Sequence, residues 1–296
     1  ALLIGLAFHF LNSSPGVKTG VDFCGRTLLR IGVALLGARI TLTQVAKLGV
    51  ETALVLVLAV ALTIAFGLLL ARWLKRSREE GVLSGGAVAI CGASAALAIS
   101  SVLPQTRDNE RFTLLTVVGV TVLSTLSMIF YPFLLKLLSL APAQGGIFLG
   151  GTIHDVAQVV AAGMMLGPEV GDTATVVKLF RVMLLMPIVL LIALAYRNHP
   201  DARVVDEDVP LVPGFLLAFI VLVLLASIGA FTPLMVKAAG DTSRWLLVTA
   251  IAAVGIRTSF EDLLKLGWMP VVMLLGETVF IAALVLAAVM GLRLGL

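Results

Sequence analysis

Long apolar stretches separated by short charged joints are the feature that most constrains this chain. Of its 296 residues, 60% are hydrophobic and only 13% are charged, whereas a soluble domain has about 25% charged residues. A chain of this composition has too little polar surface to cover itself in water. The composition therefore excludes a water-soluble enzyme, a nucleic-acid-binding protein and a disordered protein. It predicts a polytopic membrane protein.

We expect an all-α protein with about ten transmembrane segments, because the apolar runs are long and do not alternate as strands do. Residues 1–12 are too short for a complete span, so we interpret them as the end of a helix and expect the chain to be truncated at its N-terminus. The other predicted segments cover residues 23–40, 46–72, 81–103, 112–139, 146–166, 173–197, 211–231, 242–256 and 264–293.

The predicted organisation is one transmembrane domain over residues 1–296, with an acidic linker at 197–210. Lys and Arg are more frequent in the loops on the side of residues 72–78, which predicts that this side faces the cytoplasm. The expected location is the bacterial inner membrane, in multi-pass form. The sequence leaves the oligomeric state open, a homo-oligomer included.

Two parts of the chain resemble each other at an offset of 218 residues. The pairs Arg26/Arg244, Gly37/Gly255 and Arg39/Arg257 belong to repeat-like segments that we extend to residues 26–72 and 244–290. An odd number of predicted segments separates the copies, so they would cross the membrane in opposite directions. Inverted repeats of this kind are typical of secondary transporters. The alternative is that Leu- and Ala-rich helices align without a common origin.

Segment 81–103 is rich in glycine at its centre, where helix propensity is therefore low. An interruption there would leave backbone amides free at the start of a new half-helix, which is a favourable place for an anion. Tight helix–helix packing is the alternative explanation for the small residues. The residues that we assign to the interruption are Cys91, Gly92, Ala93 and Ser94.

Segment 146–166 contains polar residues in an otherwise apolar stretch: Gly151 and Thr152 precede the polar side chains of His154, Asp155 and Gln158. His154 and Gln158 are four residues apart, which predicts that they share one helical face, with Asp155 close to it. Ionisable groups inside a membrane segment are costly and usually face a cavity or a partner. The alternative is a helix cap in which Thr152 or Asp155 binds the first-turn amides.

Two cations, Lys178 and Arg181, lie one turn apart within segment 173–197. They require a counter-charge, which Asp155 or a bound anion would supply, unless they extend to the membrane interface. Glu277 is surrounded by apolar residues, and we expect it to form an ion pair with Arg257 or another basic group, or else to carry protons.

At these residues the sequence resembles a known family. Residues 84–95, 151–163 and 178–187 resemble, in this order, three signatures of the YeiH-like family of bacterial inner-membrane proteins, which is described as a family of sulfate exporters. That family is grouped with bile-acid-symporter-like and cation:proton antiporter transporters. The resemblance implies inverted repeats with broken, crossing helices.

The sequence and the resemblance together predict a secondary transporter, not an enzyme, that moves sulfate or a sulfonate coupled to protons or sodium. Motifs for nucleotide binding, metal binding or nucleophilic catalysis are absent from the sequence, so we expect no cofactor and no metal. The alternatives are a cation:proton antiporter and a passive anion channel. In the leading hypothesis, backbone amides at residues 91–94 and 151–152 hold the anion, and Lys178 or Arg181 contributes a positive charge. Ser94 and Gln158 donate hydrogen bonds to the anion. His154 and Asp155 couple protonation to transport.

Overall fold

The computed structural model of the protein describes residues 2–8, 10–11, 15–47, 49–104, 106–196, 214–257, 268–292 and 294–295. This part of the chain is helical and contains no strand, which confirms the all-α prediction. The helices are α1 (Leu2–Ala7), α2 (Pro15–Phe23), α3 (Leu29–Leu36), α4 (Leu42–Lys47), α5 (Gly49–Trp73), α6 (Arg78–Ala89), α7 (Ala93–Val102), α8 (Arg107–Leu137), α9 (Pro142–Thr152), α10 (Val156–Leu166), α11 (Pro168–Met183), α12 (Leu185–Tyr196), α13 (Gly214–Ser227), α14 (Pro233–Arg257) and α15 (Trp268–Gly291). A π-helical turn, Cys24–Leu28, follows α2, and a 3₁₀ turn, Gly37–Arg39, follows α3.

The helices form two compact units. Unit 1 comprises residues 1–49 and 212–259, and unit 2 comprises residues 50–211 and 260–296. The predicted linker at residues 197–210 lies outside the described residues. Each predicted repeat begins in unit 1 and continues in unit 2.

Four helical stretches in the described part of the chain are long and apolar enough to cross a membrane. They are Gly49–Trp73, Arg107–Leu137, Pro168–Tyr196 and Trp268–Gly291. Other apolar helices are shorter, among them α7 and α10, because the segments that contain them are interrupted. The protein is thus a multi-pass helical protein, and the number of about ten spans stays a prediction.

In unit 1, α3 packs closely against α14. The Ser243 hydroxyl donates a hydrogen bond of 2.6 Å to the Gly32 carbonyl, and a Cβ atom added to Gly32 would lie 3.0 Å from the Leu247 side chain. Gly37 approaches α13 in a similar way, because its added Cβ would lie 2.5 Å from the Phe219 carbonyl oxygen. Small residues thus allow the helix backbones of this unit to approach each other, as they do in membrane proteins generally.

The second halves of the predicted repeats are the long helices α5 and α15. Their last residues, Trp73 and Gly291, are related by the sequence offset of 218, and their first residues agree with it to within one position. The repeat itself stays a prediction. The opposite direction of the two copies stays a prediction.

In unit 2, glycines on α9 determine how closely α11 approaches. A Cβ atom added to Gly150 would lie 2.4 Å from the Ala174 carbonyl oxygen and 2.7 Å from the Val177 Cβ. At Gly145, on the same helix, the nearest atom would be a Leu135 methyl at 3.6 Å, an ordinary contact. The two positions therefore tolerate a methyl group very differently.

We expect Gly150→Ala to destabilise the protein by about 1–3 kcal/mol, because the added methyl overlaps backbone that cannot move aside easily. The matched control Gly145→Ala adds the same methyl at ordinary contact distance and removes a glycine from a helix, which favours the folded state slightly. Thermal unfolding in detergent measures both variants. Equal melting temperatures for the two would contradict the packing described here.

Candidate functional site

Two interrupted helices meet at the centre of unit 2. The first interruption, Ile90–Gly92, separates α6 from α7, and the second, Ile153–Asp155, separates α9 from α10. Gly92 has φ +65°, a conformation that favours glycine, and its added Cβ would lie 3.3 Å from the His154 Cβ. The two breaks are therefore in contact, and only a residue without a side chain fits this crossing without strain.

The Arg181 guanidinium joins the ends of α6 and α9. At the end of α6, its Nε donates to the Ala89 carbonyl at 2.9 Å, and its Nη2 donates to the Ala89 and Val88 carbonyls at 2.5 and 3.1 Å. At the end of α9, its Nη1 donates to the Gly150 and Ile153 carbonyls at 3.0 and 3.3 Å. The side chain is fully buried. One planar cation thus binds the last carbonyls of both half-helices.

Lys178 binds the same two breaks from one turn earlier on α11. Its ammonium group donates to the Ile90 carbonyl at 2.6 Å and to the Ile153 carbonyl at 2.9 Å, and it is also fully buried. Helix α11 runs from Pro168 to Met183, so Arg181 lies in its last turn and Lys178 one turn earlier. They do not extend to an interface.

Helix geometry explains why carbonyls accept these cations. The last four carbonyls of a helix have no partner within the helix, and the aligned peptide dipoles give that end a partial negative charge. Two such ends, brought together in an apolar interior, stabilise two buried cations and are stabilised by them. The counter-charge that we expected from Asp155 or an anion is thus supplied, in part, by the backbone.

Asp155 caps the start of α10. Its carboxylate Oδ1 accepts a hydrogen bond of 2.8 Å from the Ala157 amide, and its own amide donates to the Ser124 hydroxyl at 3.0 Å. The Thr152 hydroxyl instead donates to the Phe148 carbonyl at 2.7 Å, within α9. Of the two caps considered from the sequence, the structure contains the one made by Asp155.

Gly151 and Thr152 lie in the last turn of α9. We expected their amides to hold an anion, but at this end of a helix the amides are bonded within the helix and the carbonyls project. Their amides therefore do not begin a half-helix, and the assignment of these two residues to anion binding stays a prediction. The physical reason is that the break follows Thr152 and does not precede Gly151.

His154 and Gln158 do not share a helical face, because α10 begins only at Val156. The His154 Nε2 lies 3.0 Å from the Thr278 hydroxyl on α15, whereas the Gln158 amide donates to the Thr125 hydroxyl on α8 at 2.8 Å. Both side chains are buried. The break thus directs two neighbouring polar residues to two different helices.

The open side of the breaks is formed by the starts of α7 and α10. Ser94 is exposed, Ala93 and Asp155 are half-buried, and Cys91 and Gly92 are buried. Gly92 precedes α7 and offers no side-chain cap to its first-turn amides. The cations thus lie at the carbonyl ends in the interior, while the amide ends of both half-helices lie closer to the surface of unit 2.

Glu277 is fully buried on α15 and accepts a hydrogen bond of 2.7 Å from the Ser84 hydroxyl on α6. Among the described side chains it forms no ion pair, so the predicted ion pair with a basic group does not appear there. The Arg257 side chain, the partner proposed from the sequence, is not among the described ones.

A cavity of about 660 Å³ lies elsewhere in unit 2, between the end of α5 and the starts of α6, α8 and α15. Its wall includes Trp268 and the ion pair of Arg76 with Glu80, whose Nε–Oε2 distance is 2.5 Å. None of the predicted site residues lines it. The cavity is therefore separate from the predicted site residues, and its size alone does not make it a candidate site.

The sequence did not reveal that the partners of Lys178 and Arg181 are carbonyls. The glycines at residues 85–86 and 150–151, each followed within a few residues by a break, were the available signal. Two interrupted helices close to a pair of intramembrane cations predict such contacts, because helix ends are the backbone's strongest sources of partial charge.

These features define the class of protein: a multi-pass helical membrane protein in which two broken helices meet around buried cations. The family model described as conserved hypothetical protein 698 matches residues 1–274, and this chain belongs to that family. The resemblance to YeiH-like membrane proteins identified from the sequence is thereby confirmed.

Relatives from several bacteria are similar along almost the whole chain. A UPF0324 membrane protein of Chlorobaculum tepidum is 48% identical, and the match covers 98% of this chain and 81% of the relative. One from Rhizobium meliloti is 48% identical over 97% of this chain and 84% of the relative. The UPF0324 membrane protein TauZ of Paracoccus denitrificans is 48% identical over 96% and 85%, respectively. No solved structure gives a significant match.

We expect Arg181→Lys to destabilise the protein by about 3 kcal/mol or more. The shorter point-like ammonium cannot bind the ends of α6 and α9 together, so buried carbonyls lose their donors. Arg111→Lys, at an exposed position of α8, is the matched control and should change little. Thermal unfolding in detergent tests this, and a wild-type melting temperature for Arg181→Lys would show that the guanidinium does not hold the two ends.

Proposed function

We propose that this protein is a secondary transporter that moves a small sulfur oxyanion, sulfate or a sulfonate, across the bacterial inner membrane. The single observation that carries the proposal is the arrangement of the two broken helices. Their carbonyl ends bind the protein's own cations in the interior, and their amide ends lie at the more open side. Discontinuous helices of this kind form the substrate sites of many secondary transporters.

The charges at the crossing favour an anion at the start of α7. Lys178 and Arg181 contribute two positive charges to the surroundings, and the first-turn amides of α7 add the positive end of a helix dipole. Gly92 provides no competing side chain, and the exposed Ser94 hydroxyl is available as a further donor. A tetrahedral oxyanion accepts several such hydrogen bonds at once.

The start of α10 differs from that of α7, because its amides are capped by the Asp155 carboxylate. A site with amides on one side and a half-buried carboxylate on the other is complementary to a zwitterion. An aminosulfonate has these two charges, with its sulfonate suited to α7 and its ammonium group suited to Asp155. The name TauZ, which two Paracoccus relatives carry, hints at a link to taurine, an aminosulfonate.

A cation:proton antiporter is the second candidate, and the observation that favours it is the same half-buried carboxylate. In that case Asp155 binds the transported cation and no anion binds. A passive anion channel requires no coupling group and would conduct without accumulating its ion. Binding and transport measurements with sulfate, taurine and sodium separate these functions.

We expect Ser94→Asp to weaken sulfate binding at least tenfold, because it places a negative charge at the first turn of α7. Ser101→Asp introduces the same charge at an exposed position in the last turn of that helix and should leave affinity unchanged. Calorimetry on the purified protein measures both, with chloride and phosphate as comparison ions. If the wild-type protein binds no sulfur oxyanion, or if both variants bind like wild type, the proposed site is wrong.

We expect Asp155→Asn to lower taurine affinity about tenfold while sulfate affinity stays the same or rises. Asn preserves the helix cap, so the variant removes the charge with little effect on the fold. Proteoliposome uptake of both compounds, with sodium uptake measured in parallel, provides the readout. Loss of a sodium or proton flux in this variant, without sulfate or taurine uptake in the wild type, would establish the cation antiporter instead.

A further inference from the structure

Glu277 is a titratable group that the site at the breaks does not use. It lies near the middle of α15, the long apolar helix Trp268–Gly291, and is its only charged residue. The side chain is 0% exposed. A carboxyl group at such a position is costly and usually functional.

The carboxyl group occupies a space left by small residues. Oε1 accepts the 2.7 Å hydrogen bond from Ser84, and Oε2 has no partner among the described residues. A Cβ atom added to Gly67 on α5 would lie 2.7 Å from Oε1 and 2.6 Å from the Gly81 carbonyl oxygen. The glycine on α5 therefore makes room for both the carboxyl group and the close approach of α6.

The charged groups on the helices packed against α15 lie near the ends of those helices. On α6 the charged residues Arg78, Glu79 and Glu80 lie in the first turn, before Ser84, and Glu80 is paired with Arg76. On α8 the charged residues lie at the two ends of the helix, and α9 has none. The charged residues of α5, Glu51 and Arg72, also lie at its ends. Within the described part of the chain, Glu277 thus has one hydroxyl donor and no cation, an arrangement that suits the protonated acid.

The next residue on α15 contacts the other break. The Thr278 hydroxyl lies 3.0 Å from the His154 Nε2, while Glu277 binds Ser84 on α6. Two successive residues of α15 therefore contact both interrupted helices. A change in the charge of Glu277 would act on α6 directly and on the His154 break through α15.

We propose that Glu277 is the proton-binding residue of the transport cycle, and that its binding of a proton couples movement of the broken helices to the proton gradient. In the conformation described here Oε2 carries the proton. When the cycle opens this carboxyl group to water on the other side, the acid releases the proton to water and the Ser84 hydroxyl stabilises the carboxylate. This proposal rests on the proposed function and assigns its coupling ion, which is the proton.

The first test uses the purified protein without any substrate. Infrared spectroscopy of the wild type should show a protonated-carboxyl carbonyl band that is missing from Glu277→Gln and retained in Glu51→Gln, the matched control at an exposed position. Ser84→Ala should shift the band without removing it, because Ser84 donates to Oε1. A band that is the same in wild type and Glu277→Gln would overturn the proposal.

The second test measures transport in proteoliposomes. We expect Glu277→Gln to retain sulfate or taurine exchange at equal pH on both sides but to lose at least tenfold of the accumulation driven by a pH gradient. Glu51→Gln should behave like wild type. Full gradient-driven accumulation by Glu277→Gln would overturn the proposal. If the wild type transports neither compound, the proposed function fails, and the infrared test still decides independently whether Glu277 holds a proton.

Discussion

The binding of two buried cations to the carbonyl ends of two broken helices is the interaction on which the centre of unit 2 depends. Arg181 binds four carbonyl groups, at the end of α6 and in and before the second break, and Lys178 binds one carbonyl group in each break. Without these cations, the ends of α6 and α9 would place partial negative charges side by side in an apolar interior. With them, the interruption of two helices becomes a stable arrangement.

This interaction also makes the two sides of the breaks different. The carbonyl ends are occupied by side chains of α11, whereas the start of α7 has no side-chain cap and that of α10 has Asp155. In a helix that crosses the membrane without a break, these backbone amides and carbonyls would bond to each other within the helix, and none would be left to bind a ligand. Because of the breaks, the positive end of the α7 dipole lies within unit 2 and close to the Asp155 carboxylate.

Helix α15 links this centre to a second buried polar position. Thr278 contacts the His154 break. Glu277 contacts α6 at Ser84, four residues before Val88, the first α6 residue whose carbonyl Arg181 binds. Glycines at the α5–α6 contact allow this packing, since a methyl group at Gly67 would overlap both the carboxyl group and the Gly81 carbonyl. Small residues thus position a titratable group as well as bringing helices together.

The sequence by itself determined the helical membrane class and predicted an interruption at residues 91–94, which the structure places at residues 90–92. Composition and the length of apolar runs are properties of the chain alone, and low helix propensity is local, so both are readable without a fold. Only the tertiary structure decided which end of each half-helix faces the cations, that Gly151 and Thr152 lie in the last turn of α9, and that Glu277 binds Ser84. These facts depend on where each break begins, to within a residue or two, and on contacts between residues up to 193 positions apart. Hydrophobic pattern does not encode such pairings, because every apolar helix face is compatible with many neighbours.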